Sequence, residues 1–92
     1  MNWQVYIILC SDNSLYTGIT TDIERRFRQH HEGRGARYFL GRRPIEVVYL
    51  ERGHNQSSAS KREIMIKMMR KEEKRLLISS EINEIKREGG EW

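Results

Sequence analysis

Apolar and polar positions alternate from Trp3 to Cys10 and again from Ser14 to Thr20, so both stretches read as strands, joined by a turn at Ser11-Asp12-Asn13. A three-residue loop with Asn13 in the left-handed region would pair Cys10 with Ser14, and therefore Tyr6 with Gly18. One face of this hairpin then collects Tyr6, Ile8, Tyr16, Gly18 and Thr20. The other collects Trp3, Val5, Ile7, Leu9, Leu15 and Ile19, which has the composition of a core side. Thr21-Asp22-Ile23-Glu24 has capping-box spacing, so a helix is expected from Asp22 to His31. Residues Glu32 to Arg43, with three Gly and no period, read as a loop closed by Pro44. Ile45 to Leu50 is a third strand. Asn55 caps a helix expected to reach Met69, and a further helical stretch to about Arg87 places Ile78, Ile82 and Ile85 on one stripe. The pattern leaves open whether Arg70 divides these helices, and Gly89-Gly90 is expected to end the order. The resulting fold class is α+β, a small three-stranded antiparallel sheet flanked by helices.

Composition narrows this to one domain over residues 1–92, because 92 residues leave no room for a second. The longest apolar run, Val5 to Cys10, is far shorter than the roughly 20 residues that span a bilayer, and no Lys or Arg precedes it as in an export signal. Cys10 has no second cysteine to pair with. These features predict a cytoplasmic protein without a membrane partner. A monomer or weak homodimer is expected, and no sequence feature decides between them. The formal charge is +4, and its placement is informative. Residues 22–43 hold seven Arg and no Lys against three acidic residues, a surplus equal to that of the whole chain. Arginine presents a planar fork of donors that matches two phosphate oxygens. Arg25, Arg28, Arg34, Arg37, Arg42 and Arg43 are therefore candidate nucleic-acid-binding residues, against the reading of a merely solvated basic loop.

Within the first helix Ile23 and Phe27 face the core, while Arg26 and His30 stack one turn apart on an adjoining stripe. In the later helix Glu63 shares a stripe with Ala59 and Ile66, so its carboxylate needs a cation, which Arg26, a metal or Lys67 four residues on would supply. His54 has no spacing to the other candidates and reads as a loop residue. No Cys and His cluster has zinc-ligand spacing.

Val5-Tyr6-Ile7, Tyr16-Thr17-Gly18, Arg26, His30 and Glu63, in that order, resemble the GIY-YIG nuclease superfamily. The small stand-alone members are the nearer likeness, through Ser14-Leu15-Tyr16-Thr17-Gly18-Ile19-Thr20, Glu24-Arg25-Arg26, Gly41-Arg42-Arg43-Pro44 and Arg62-Glu63. The likeness covers about residues 3 to 77. It departs from the pattern in the missing first Gly and in Thr17 for Ile, and Asn83 is left without a role. The resemblance implies a metal-dependent endonuclease hydrolysing DNA phosphodiester bonds, with a place in DNA repair or recombination and RNA as the less favoured substrate. It further implies magnesium or manganese held by Glu63, Arg26 on a phosphate oxygen, Tyr6 or Tyr16 as general base, and His30 positioning a water or assisting proton transfer. The rival reading is a nucleic-acid-binding or interaction module without turnover on the same fold. All five residues are expected to converge on one concave, partly exposed site.

Overall fold

A computed structural model describes residues 1–85, so the expected end of order at Gly89-Gly90 and the last two residues of the expected helix lie outside the described residues. The elements run β1 (Trp3–Cys10), β2 (Leu15–Thr20), α1 (Ile23–His31), a 3-10 turn (Arg37–Leu40), β3 (Pro44–His54), α2 (Gln56–Lys67) and α3 (Lys71–Ser79). Asn13 adopts φ 69°. The Cys10 N–H donates to the Ser14 carbonyl at 2.9 Å, and Tyr6 pairs with Gly18. The turn chemistry of one asparagine thus sets which side chains share a face.

Three expectations need correction. The cap of α1 is Asp22, which accepts from the Arg25 N–H at 3.1 Å, while the Thr20 hydroxyl holds the Asp22 N–H. Asp22 lies one residue nearer the helix and takes the role assigned to Thr21. The loop before Pro44 contains the 3-10 turn, because Phe39 in it is buried against the sheet. β3 runs four residues past Leu50, and His54 is its last residue, bonded to Glu51 and Ser58. The question left open at Arg70 resolves to two helices, with the break at Met68 to Arg70, where the Glu73 side chain caps the Arg70 N–H.

The sheet order is β2-β1-β3, all antiparallel. Val5, Ile7, Val48 and Tyr49 pack against Ala59 and Ile66 of α2 on one face. On the other, Tyr6, Ile8, Cys10 and Leu50 pack with Phe39, Ile23 and Phe27. Both faces are therefore covered. The tyrosine face is a second core, in which Tyr6 is only 1% exposed.

Asn83 explains why the Ile78, Ile82 and Ile85 stripe is not one helix. Its amide donates to the carbonyls of Val48 and Ile78 at 2.9 and 2.8 Å, and its oxygen accepts from the N–H groups of Leu50 and Ile85 at 3.1 and 3.0 Å. Glu84 N–H adds a bond to the Leu50 carbonyl. The chain leaves the helix to close the β3 edge, where unpaired groups would otherwise face solvent. Asn83→Ala strands several of these groups and is expected to cost about 2 to 4 kcal/mol, read as a lower urea midpoint at unchanged m.

Candidate active site

Tyr6 of β1 lies across from Gly18 of β2, and a Cβ built at Gly18 falls on the Tyr6 hydroxyl and within 2.6 Å of its Cζ. Glycine is there because the phenol occupies its side-chain space. Tyr6 Oη lies 2.9 Å from His30 Nε2, and the Tyr6 and Tyr16 ring centroids are 6.3 Å apart. A second glycine, Gly35, allows the chain to close on His30 from the far side, where a Cβ would fall on the ring nitrogen Nδ1. The Ala36 N–H then donates to Nδ1 at 3.2 Å.

This bond fixes the tautomer. Nδ1 accepts, so neutral His30 carries its proton on Nε2 and donates it to Tyr6 Oη. Tyr6 keeps its own hydroxyl proton free to be aimed elsewhere. Burial, and next the charge of Arg26, lower the His30 pKa to about 4, which keeps the ring neutral at pH 7. The native ring stays neutral between pH 6.5 and 4 while the unfolded one charges, so stability held above pH 6.5 is lost as pH falls toward 4. The expected loss is on the order of 3 kcal/mol, from about 1.36 kcal/mol per pKa unit. Unfolding free energies at pH 7 and 4.5 should differ less in His30→Gln than in the parent by roughly that amount.

Burial also raises the pKa of Tyr6, with a smaller push from Tyr16, and raises that of Tyr16. The Arg26 guanidinium opposes both shifts, and the Glu63 carboxylate reinforces both. Arg26 is thereby placed to favour a phenolate, and its Nη1 donates to Gln29 at 3.0 Å. Glu63 is carried by α2, whose Ala59 and Ile66 pack on the opposite sheet face. Its charge nevertheless reaches both tyrosines. It also pairs with Lys67 at 3.2 Å, so that alternative holds as well. The arrangement places Tyr6, Tyr16 and His30 in one cluster with Arg26 and Glu63 in electrostatic reach.

The arginines divide. Arg25, Arg37 and Arg43 are exposed, and no ion pair of theirs is found among the described residues. Arg34 pairs with Glu32. Arg42 is committed to the fold: its Nε donates to Asp12 at 2.8 Å, its Nη1 to the Tyr38 carbonyl at 3.0 Å, and its guanidinium lies 4.0 Å from the Tyr38 ring centroid. The bonds from Ser14 and Arg42 hold the Asp12 carboxyl down at about 2. Arg28 lies on the other flank of α1 from Arg26, in a 670 Å³ groove with Ile45, Arg52 and Glu84. Sequence reasoning missed Tyr38, whose ring centroid is 5.0 Å from that of Tyr16. The only signal for it was an aromatic pair inside an otherwise polar loop.

Residues 2–76 match the family described as the GIY-YIG catalytic domain. The chain belongs to the GIY-YIG family. It is 51% identical over 73 residues to a UPF0213 protein of Haloquadratum walsbyi, covering 79% of this chain and 82% of that protein. A UPF0213 protein of Desulfotalea psychrophila is 48% identical over 79 residues, covering 85% and 72%. The solution NMR structure of the UPF0213 protein BH0048 from Bacillus halodurans superposes with a TM-score of 0.57 at 38% identity, over 89% of this chain and 87% of that one. GIY-YIG domains form a nuclease family that generally depends on a divalent metal.

Among the described residues of this GIY-YIG domain no group of three or more His, Cys, Asp or Glu could hold a metal. A cage of several protein ligands is thus absent from residues 1–85. A single carboxylate completed by water and substrate phosphate is a usual shell for a hard divalent ion, so the lack of such a group does not conflict with the metal dependence of the family. No helix among the described residues is long and apolar enough to cross a membrane.

Proposed function

We propose that the protein is a divalent-metal-dependent endonuclease that hydrolyses DNA phosphodiester bonds, acting in the cytoplasm in DNA repair or recombination. The observation that carries this reading is the phenol of Tyr6, held by a donor from neutral His30 beside Tyr16, with Arg26 and Glu63 acting electrostatically on both phenols. Glu63 would hold the ion, and the ion supplies polarisation of the phosphate and a sink for leaving-group charge. Arg26 would neutralise a nonbridging oxygen as charge grows there. His30, a fixed donor through Nε2, orients Tyr6 and does not accept its proton in this tautomer. Tyr6 and Tyr16 are then the groups that hand a proton to or take one from the reacting oxygens, and Arg26 supplies the positive charge a phenolate requires. A nicking assay on branched, flapped and plain duplex DNA with magnesium and with manganese tests the reading. Binding without turnover on every substrate would favour a nucleic-acid-binding module instead.

Phosphate contact is assigned to Arg25, Arg37 and Arg43, with Arg34 in competition with Glu32. Arg42 supports the loop, and Arg28 serves the other flank of α1. Duplex affinity should fall with salt at a slope of about −0.9 per neutralised phosphate. The triple change of Arg25, Arg37 and Arg43 to Ala is expected to flatten that slope by up to roughly three contacts, whereas Arg28→Ala leaves it unchanged. Fluorescence anisotropy over a salt series measures both, and an unaltered slope in the triple variant would move the DNA surface elsewhere.

A further inference from the structure

Glu51, three residues before the end of β3, is enclosed by three donors. Tyr49 Oη donates to it at 2.6 Å, His54 Nε2 lies 2.6 Å away, and Arg62 Nε lies 3.1 Å from both of its oxygens. Burial raises the Glu51 pKa, but bonds from Tyr49 and His54 and the charge of Arg62 outweigh it and leave the carboxyl below its usual value. The side chains of Glu51, His54 and Arg62 are 16%, 18% and 21% exposed, and Tyr49 is fully buried. His54 Nδ1 also lies 2.8 Å from Ser58 Oγ in the first turn of α2. The end of β3 is thereby tied to α2 at two points one turn apart, Ser58 and Arg62.

Arg62 and Glu63 are sequence neighbours, and successive helical residues leave the axis about 100° apart. Arg62 reaches toward β3, while Glu63 acts on the tyrosines of β1 and β2. The ion pair found for Glu63, to Lys67, lies within its own helix and cannot fix where that helix stands. The buried core contacts of α2 with the sheet run through Ala59 and Ile66, so Ile66 is the one large core side chain that resists rotation about the axis beside the cluster.

We propose that Glu51, with Arg62, His54 and Tyr49, is the positioning cluster that sets the rotation of α2 and so delivers the Glu63 carboxylate to the active site. This assignment rests on the nuclease reading above. Displacement of a catalytic group by about 1 Å can cost on the order of 100-fold in rate. Glu51→Gln removes the charge that grips Arg62, and Arg62→Ala removes the grip from the other side. Both should lower kcat by roughly tenfold or more with KM for DNA little changed, and Arg62→Lys should recover part of the loss. Asn83→Ala, whose lost bonds to β3 are to the Val48 carbonyl and the Leu50 N–H and to no side chain of the cluster, serves as the control of lowered stability and should keep the parent kcat. The test is single-turnover nicking for all four variants, with residual dipolar couplings of the α2 amides measured against those of the sheet. An unchanged kcat in Glu51→Gln, or an equal fall in Asn83→Ala, overturns the proposal. If the parent nicks no DNA the nuclease reading fails by itself, and the couplings decide the cluster: a rotated α2 in Glu51→Gln supports it, and an unrotated one overturns it.

Discussion

Glu63→Gln is expected to abolish DNA cutting while leaving DNA affinity and stability close to those of the parent. The substitution keeps the shape of the side chain and removes its charge, so whatever holds the divalent ion is lost while nothing negative is added toward phosphate. Stability should barely move. The ion pair that disappears is to Lys67, whose side chain is 50% exposed, and partly solvated i to i+4 pairs contribute well under about 1 kcal/mol. Removal of a transition-state charge contact commonly costs on the order of 100- to 1000-fold, and loss of the single carboxylate that would hold the ion should reach at least that. Nicking rates with magnesium and manganese, beside anisotropy in the presence of EDTA, separate the outcomes. A variant that binds and does not cut assigns Glu63 to chemistry. One that neither binds nor cuts gives it a structural role, and one that cuts normally removes it from the reaction.

The hairpin register was legible because it depends on one local decision, the tolerance of Asn13 for positive φ, and period two then fixes the facing residues. The placing of Arg26 and His30 one turn apart on α1 followed from helical spacing in the same local way. The covering of the tyrosine face was not legible. It depends on Phe39, brought in by a 3-10 turn within a segment whose glycines and charges carry no period. The division of the arginines was hidden for a related reason: only tertiary structure brings Asp12 of the hairpin turn to Arg42, thirty residues later. Asn83 had no assignable role because its four partners come from β3 and from both of its own flanks. The tie between Glu51 and Arg62 likewise joins a strand end to a helix across eleven residues. Local propensity could reveal the groups that carry charge, but the groups that hold them in place are chosen by packing.

Gly18→Ala is the substitution in which packing and chemistry fail together. The added methyl would fall on Tyr6 Oη, 2.6 Å from Tyr6 Cζ and 3.1 Å from Tyr16 Cε2. Tyr6 has little room to yield, since it is 1% exposed, packs with Ile8, Leu50 and Phe39, and is held at its tip by His30. Overpacking of this kind costs about 1 to 3 kcal/mol, and the expected loss lies at the upper end because the phenol must give up its bond to His30 in moving. Activity should fall further than stability explains, on the order of 100-fold, because the hydroxyl is displaced by about the distance at which catalytic geometry fails. Urea unfolding gives the first quantity and single-turnover nicking at a temperature well below unfolding gives the second. The double variant Gly18→Ala with Tyr6→Phe separates the causes, since it removes the oxygen nearest the new methyl. It should regain part of the stability and none of the activity. Recovery of cutting in the double variant would show that the Tyr6 hydroxyl takes no part in the reaction, and a Gly18→Ala protein of parental stability and rate would remove the close approach of Tyr6 to β2 as a requirement of the site.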